Sequence, residues 1–96
     1  MLRYAEGGIG LKDTDVLHRY FKNGVLMTMP SKQSAKLLVM AEIVNRFDEA
    51  KVYTEREINE LLKPVYADFA LIRRYLIDFK LLSRSKDGKE YWVTKQ

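Results

Sequence analysis

The chain has 96 residues, a net charge of +4, 47% hydrophobic and 31% charged residues, and no cysteine. Such a chain suits one small domain with a modest core, and its composition excludes a disordered or low-complexity protein. There can be no disulfide and no thiolate metal site, no apolar run is long enough to span a membrane, and the first residues carry no secretory pattern, so a cytoplasmic protein is expected. The charge is uneven. After residue 79, Lys80, Arg84, Lys86, Lys89 and Lys95 stand against only Asp87 and Glu90, whereas residues 32–79 balance to zero. A basic bias confined to one segment suits a polyanion partner, and equally an ordinary solvated surface.

Residues 1–12 contain Gly7, Gly8 and Gly10 and read as a flexible segment. Asp13 or Thr14 can cap a short helix running to about Lys22, with Val16, Leu17, Tyr20 and Phe21 on one face and Asn23-Gly24 as its stop. Val25 to Met29, ended by Pro30, suits a strand or extended arm. Residues 13–30 thus form an N-terminal helix and arm, and residues 31–96 the main domain.

Ser31 is a candidate cap for the longest helical pattern, Lys32 to Phe47, in which Leu37, Met40, Val44 and Phe47 make an apolar stripe. Leu38 and Val39 fall toward its outer side. After a short extended piece, Val52-Tyr53-Thr54, the pair Thr54 and Glu57 has the spacing of a capping box. It predicts a helix from Glu55 to about Lys63, with Ile58, Leu61 and Leu62 inward and Pro64 beyond its end. Asp68 can cap a further helix to about Phe79, whose inward stripe is Phe69, Ile72, Leu76 and Phe79. On that helix Ala70, Arg74 and Asp78 point away from the core, with Arg73 and Tyr75 on the flanks. Leu81 to Arg84 and Glu90 to Thr94 read as strands joined across Asp87-Gly88.

The predicted class is α+β, mostly helical: a winged helix-turn-helix with an extra N-terminal helix and arm. A three-helix bundle competes, and the aromatic and β-branched run at 91–94 argues against it. The stretches Arg73-Arg74-Tyr75-Leu76-Ile77-Asp78, Leu81-Leu82-Ser83-Arg84, Asp87-Gly88 and Tyr91-Trp92 also form a recognisable pattern. With Phe21-Lys22-Asn23-Gly24 and the Pro30-x-Lys32 step upstream, they resemble the prokaryotic domain-of-unknown-function family two thousand and eighty-seven. Its members are small stand-alone proteins or modules attached to helix-turn-helix transcriptional regulators, and the resemblance implies a role near transcription without implying a mechanism. Where that pattern has glycine, between Phe79 and the leucine pair, this chain has Lys80, which disfavours a left-handed helix stop.

Nothing in the sequence suggests an enzyme or a cofactor. His18 is the single histidine and reads as a solvated or capping residue. Asp13, Asp15, Glu55, Glu57 and Glu60 are accounted for by helix starts, no metal set is present, and Gly7-Gly8-x-Gly10 lacks the context of a phosphate loop. As a DNA binder, the last helix would offer Ala70, Arg73, Arg74 and Ile77 to the duplex. The hairpin would add Arg84, Lys86 and Lys89 as phosphate contacts, and Lys32 and Lys36 would add more from the long helix. That last helix is electrically neutral, however, and Arg74 with Asp78 can form a surface pair. The other reading is an interaction, dimerisation or sensing module. Val25, Leu26, Met27 and Met29 in the arm, Leu38 and Val39, and Tyr66, Tyr75 and Trp92 could build a homodimer interface, unless the N-terminal helix and arm fold back to cover them. An effector ligand is not specified by the sequence.

Overall fold

The structure is a computed structural model that describes residues 11–95. The expected flexible segment lies outside the described residues, save its last two positions. The elements are α1 (Leu11–Tyr20), β1 (Phe21–Lys22), β2 (Val25–Leu26), α2 (Gln33–Val44), α3 (Glu55–Leu62), α4 (Phe69–Asp78), β3 (Leu82–Arg84) and β4 (Tyr91–Val93). The class is α+β, with four helices and two small antiparallel sheets among the described residues. No helix among them is long and apolar enough to cross a membrane.

Asn23-Gly24 does more than stop a helix. Both residues have positive φ, 53° and 81°, the backbone that a two-residue hairpin turn requires. Phe21 and Lys22, expected as the last residues of α1, therefore pair with Leu26 and Val25. The expected arm is the second strand of this hairpin. The Leu26 amide donates to the Val65 carbonyl (2.8 Å), the Leu26 side chain is buried, and Arg46 donates to the Gly24 carbonyl (2.8 Å). Val25 and Met27 stay exposed.

Helix α2 departs from its expected pattern. Lys32 rather than Ser31 is its N-cap residue, and no side chain caps it. It ends at Val44, and the chain tightens through i→i−3 bonds from Arg46 to Ile43 and from Phe47 to Val44. Leu38 and Val39, placed on the outside by the stripe, are buried, because α2 packs against both α1 and α4. A helix covered on more than one side carries apolar residues around its circumference, so a single stripe misreads it.

Helix α3 begins with the predicted capping box: Thr54 Oγ1 accepts from the Glu57 amide (3.1 Å) and Glu57 Oε1 accepts from the Thr54 amide (2.9 Å). Ile58 and Leu62 are fully buried, but Leu61, expected inward, is 39% exposed. On α4 the Asp68 carboxylate accepts from the Leu71 amide (3.2 Å) and Ile72 and Leu76 are fully buried. Tyr66, Tyr75 and Trp92 are half-buried against the core or at the sheet face.

The end of α4 resolves the Lys80 substitution. Lys80 has φ 61°, the left-handed conformation in which glycine is the usual residue. The Lys80 amide donates to the Ile77 carbonyl and the Leu81 amide to the Leu76 carbonyl, both at 2.9 Å. These are the two bonds of a Schellman helix stop, and Leu81 and Leu76, at the positions of its apolar contact, are both buried. The pairing holds a lysine where its Cβ is disfavoured.

Two outcomes follow. Lys80→Gly should raise unfolding stability by about 0.5–1 kcal/mol, the balance of released left-handed strain against added chain entropy, read from denaturant melts. Thr54→Ala should lower stability by about 1 kcal/mol. Chiefly through the bond from the Thr54 amide, and further through the Lys51 charge, the Glu57 carboxyl is held below its ordinary value of 4.5. Its contribution is present above that value and is lost as pH falls through the lowered one. Because Thr54→Ala keeps the amide that donates to Glu57, the Glu57 titration followed by NMR should stay below its ordinary value.

Candidate nucleic-acid interface

Helices α3 and α4 pack against each other, and β3 packs on α4. The hairpin register places Leu82 opposite Val93, Ser83 opposite Trp92 and Arg84 opposite Tyr91. The Ser83 and Thr94 hydroxyls meet at 2.7 Å. A further rung joins Tyr53 to Tyr91 through two backbone bonds of 2.7 and 2.8 Å. The extended piece before α3 thus ties β4 to the helical layer. At the hairpin turn the Gly88 amide donates to the Ser85 carbonyl (3.0 Å), and Gly88 has φ 73°. Asp87 Oδ1 accepts from the Ser85 hydroxyl (2.6 Å) and the Lys89 amide (3.0 Å). These bonds, that from Ser85 foremost, hold the Asp87 carboxyl below its ordinary value.

Between α4, the start of α3 and this hairpin lies an open concavity of about 340 Å³. Its lining brings together Ala70, Arg73, Arg74 and Ile77 from α4 and Arg84 from β3, all five predicted from the sequence. Asp78, Glu55 and Tyr91 complete it. Three cations against two carboxylates leave the surface mildly positive.

The three arginines are held differently. Arg73 is half-buried and donates through Nη1 to Asn59 Oδ1 on α3. Arg74 lies 3.8 Å from Asp78 Oδ2, and both side chains are more than half exposed. A loose, solvated i,i+4 pair of this kind contributes about 0.3–0.5 kcal/mol, so Arg74 can leave Asp78 for another anion at little cost. Arg84 is exposed and its guanidinium lies over the turn, where a Cβ on Gly88 would stand 3.2 Å from Nη1. The hairpin glycine thus serves the turn and makes room for that arginine.

The remaining candidates lie elsewhere. Lys86 and Lys89 are exposed on the hairpin turn, outside the concavity. Lys36 sits over the Tyr75 ring at 4.7 Å, on the flank of α4. Lys32 lines a separate hollow with Arg19 and Tyr20, between α1 and the start of α2. His18 is exposed on α1, where it lines a shallow hollow with Phe21 and Glu42.

Sequence reading missed Asn59, Tyr91 and the position of Glu55. The Tyr91 hydroxyl donates to Glu55 Oε1 (3.1 Å). Burial, then the hydrogen bond and charge of Glu55, raise the Tyr91 phenol above its ordinary value of 10.0, against Arg73 and Arg84. Glu55 was legible only as a first-turn anion, and Tyr91 only as a strand residue. Their meeting depends on the Tyr53–Tyr91 rung.

The class these features define is a small α+β domain with a mildly cationic groove between its last helix and a C-terminal hairpin. The sequence matches a family described as "Uncharacterized protein conserved in bacteria (DUF2087)" over residues 25–93, and the chain belongs to that family. No curated protein and no solved structure matches it.

Removing the Glu55 carboxylate should relax the phenol. In Glu55→Gln the Tyr91 titration, followed by NMR of labelled tyrosine, should fall toward the ordinary value. A raised folded value also means that this phenol supports stability below pH 10.0 and ceases to do so as pH rises through the folded value.

Proposed function

We propose that this protein is a winged-helix, transcriptional-regulator-like module that binds double-stranded DNA, chiefly through the phosphate backbone. The order α2, the Tyr53 rung, α3, a turn, α4 and the β3–β4 hairpin supports a winged helix, with α4 as the helix offered to the duplex and β3–β4 as the wing. The observation that carries the DNA reading is the gathering of Arg73, Arg74 and Arg84 along one groove, with Lys86 and Lys89 exposed on the adjoining turn. Arg74 is only loosely held, and the hairpin cations face solvent, so all can reach phosphate. Glu55 and Asp78 in the same groove disfavour close approach to bases, so sequence reading by α4 is weak.

The alternative is a dimerisation or sensing module. Those two carboxylates favour it, together with the exposed apolar side chains of Val25, Met27, Val52 and Leu61.

A duplex titration against salt decides between them. Wild type should bind random-sequence DNA with log affinity falling linearly in log salt. Arg74→Ala with Arg84→Ala should reduce that slope by about two, roughly one for each phosphate contact removed. Lys86→Ala with Lys89→Ala should do the same, and scrambling the DNA sequence should change affinity little. If wild type shows no salt-dependent binding at low ionic strength, the DNA reading fails.

A further inference from the structure

A second concavity, of about 380 Å³, opens between the β1–β2 hairpin, the end of α2 and the α3–α4 connection. It shares no lining residue with the α4 groove. Its walls are mainly apolar, among them Val25, Ile43, Phe47, Leu61 and Val65, and Arg46 is the single charged residue in its lining. Val25 and Leu61, 40% and 39% exposed, are two of its lining residues. An apolar enclosure of this size with one fixed polar group has the character of a small-molecule site.

Arg46 is held in one orientation. Its Nη1 donates to the Gly24 carbonyl (2.8 Å), and its guanidinium lies over the Phe21 ring at 5.1 Å. A guanidinium has five N–H donors, so most remain available. Arg46 stands at the wall between this pocket and the adjoining hollow, and lines both; Phe21 and Glu42 line the hollow. A pre-oriented guanidinium beside apolar walls complements an anion with an apolar body, and its fork matches a carboxylate. We propose that this pocket binds a small amphipathic carboxylate, its head group held by Arg46 and its apolar body lying against the accessible side chains of Val25, Leu61 and Pro64.

Octanoate, octanol and octylammonium share a tail and differ in head charge, so they separate the charge requirement from simple apolar binding. Titrations of the full chain should show saturable octanoate binding in the millimolar range or tighter, with amide resonances of Val25, Ile43, Phe47 and Leu61 moving together. Octylammonium should bind at least about tenfold more weakly, the worth of one charge-assisted contact. Arg46→Gln should erase the preference for octanoate over octanol, and Arg46→Lys should keep part of it. Leu61→Glu, at an exposed position, should abolish octanoate binding while its thermal melt stays close to wild type. Val25→Ser, away from α3, should weaken binding if Leu61→Glu unfolds the chain. The proposal is overturned by the absence of saturable binding, by equal affinity for octylammonium, or by indifference to both lip substitutions. Self-association in sedimentation that octanoate disrupts and Leu61→Glu removes would assign the pocket to a second copy of the chain, which also overturns it.

Discussion

Val39, Met40, Ile43 and Val44 of α2 are all inaccessible to solvent, and Leu38 and Ala41 on other sides of the same helix are nearly so. Burying one such aliphatic side chain contributes about 1.5–3 kcal/mol, so the cover over α2 is a large share of what a domain of this size can gather. That cover cannot come from one neighbour. Helix α4 lies against α2 with Ile72 and Leu76 in the shared core, and α1 lies against it as well. The β1–β2 hairpin adds Leu26, locked to the α3–α4 connection through the Val65 carbonyl. The N-terminal helix and the β1–β2 hairpin are therefore part of the fold's enclosure.

The position of the arginine-lined groove follows from this packing. Helix α4 must turn Ile72 and Leu76 toward the core, which leaves Ala70, Arg74 and Asp78 outward and Arg73 and Ile77 on the side facing α3 and the hairpin. The second wall is set by backbone rather than by side chains. The Tyr53–Tyr91 rung fixes β4, the β3–β4 register fixes Arg84 opposite Tyr91, and Gly88 leaves space for its guanidinium. Arg73 owes its environment to Asn59, 14 positions earlier, and Arg84 to the adjoining fold-back at Ser85–Glu90. The hollow proposed for a carboxylate arises in the same way, where Arg46 fastens a hairpin twenty-two positions earlier in the sequence.

Features decided within a few residues were legible directly. Thr54 and Glu57 satisfy each other's amides, Asp68 caps α4, and Asp87-Gly88 marks the β3–β4 turn, because each bond closes between atoms the local chain already brings together. Asn23-Gly24 was legible as a point of positive φ. What it did, turning a strand back rather than ending a helix, depended on Leu26 finding the Val65 carbonyl. Lys80 gave the opposite lesson. Its identity argued against a left-handed stop, yet the burial of Leu76 and Leu81 imposes one.

The sequence by itself determined the order of elements from α2 onward, the caps of α3 and α4, the turn positions, the family, and the outward face of α4, since periodicity and short-range hydrogen bonding are properties of neighbouring residues. Only the tertiary structure decided that Leu38 and Val39 are covered and Leu61 is not. It also decided that Lys32 and Lys36 lie away from the groove, and that Glu55 and Tyr91 enter it. Periodicity says which side of a helix is apolar. It does not say how many neighbours press on that helix, and the number and direction of those neighbours determine which of its side chains meet solvent and which meet each other.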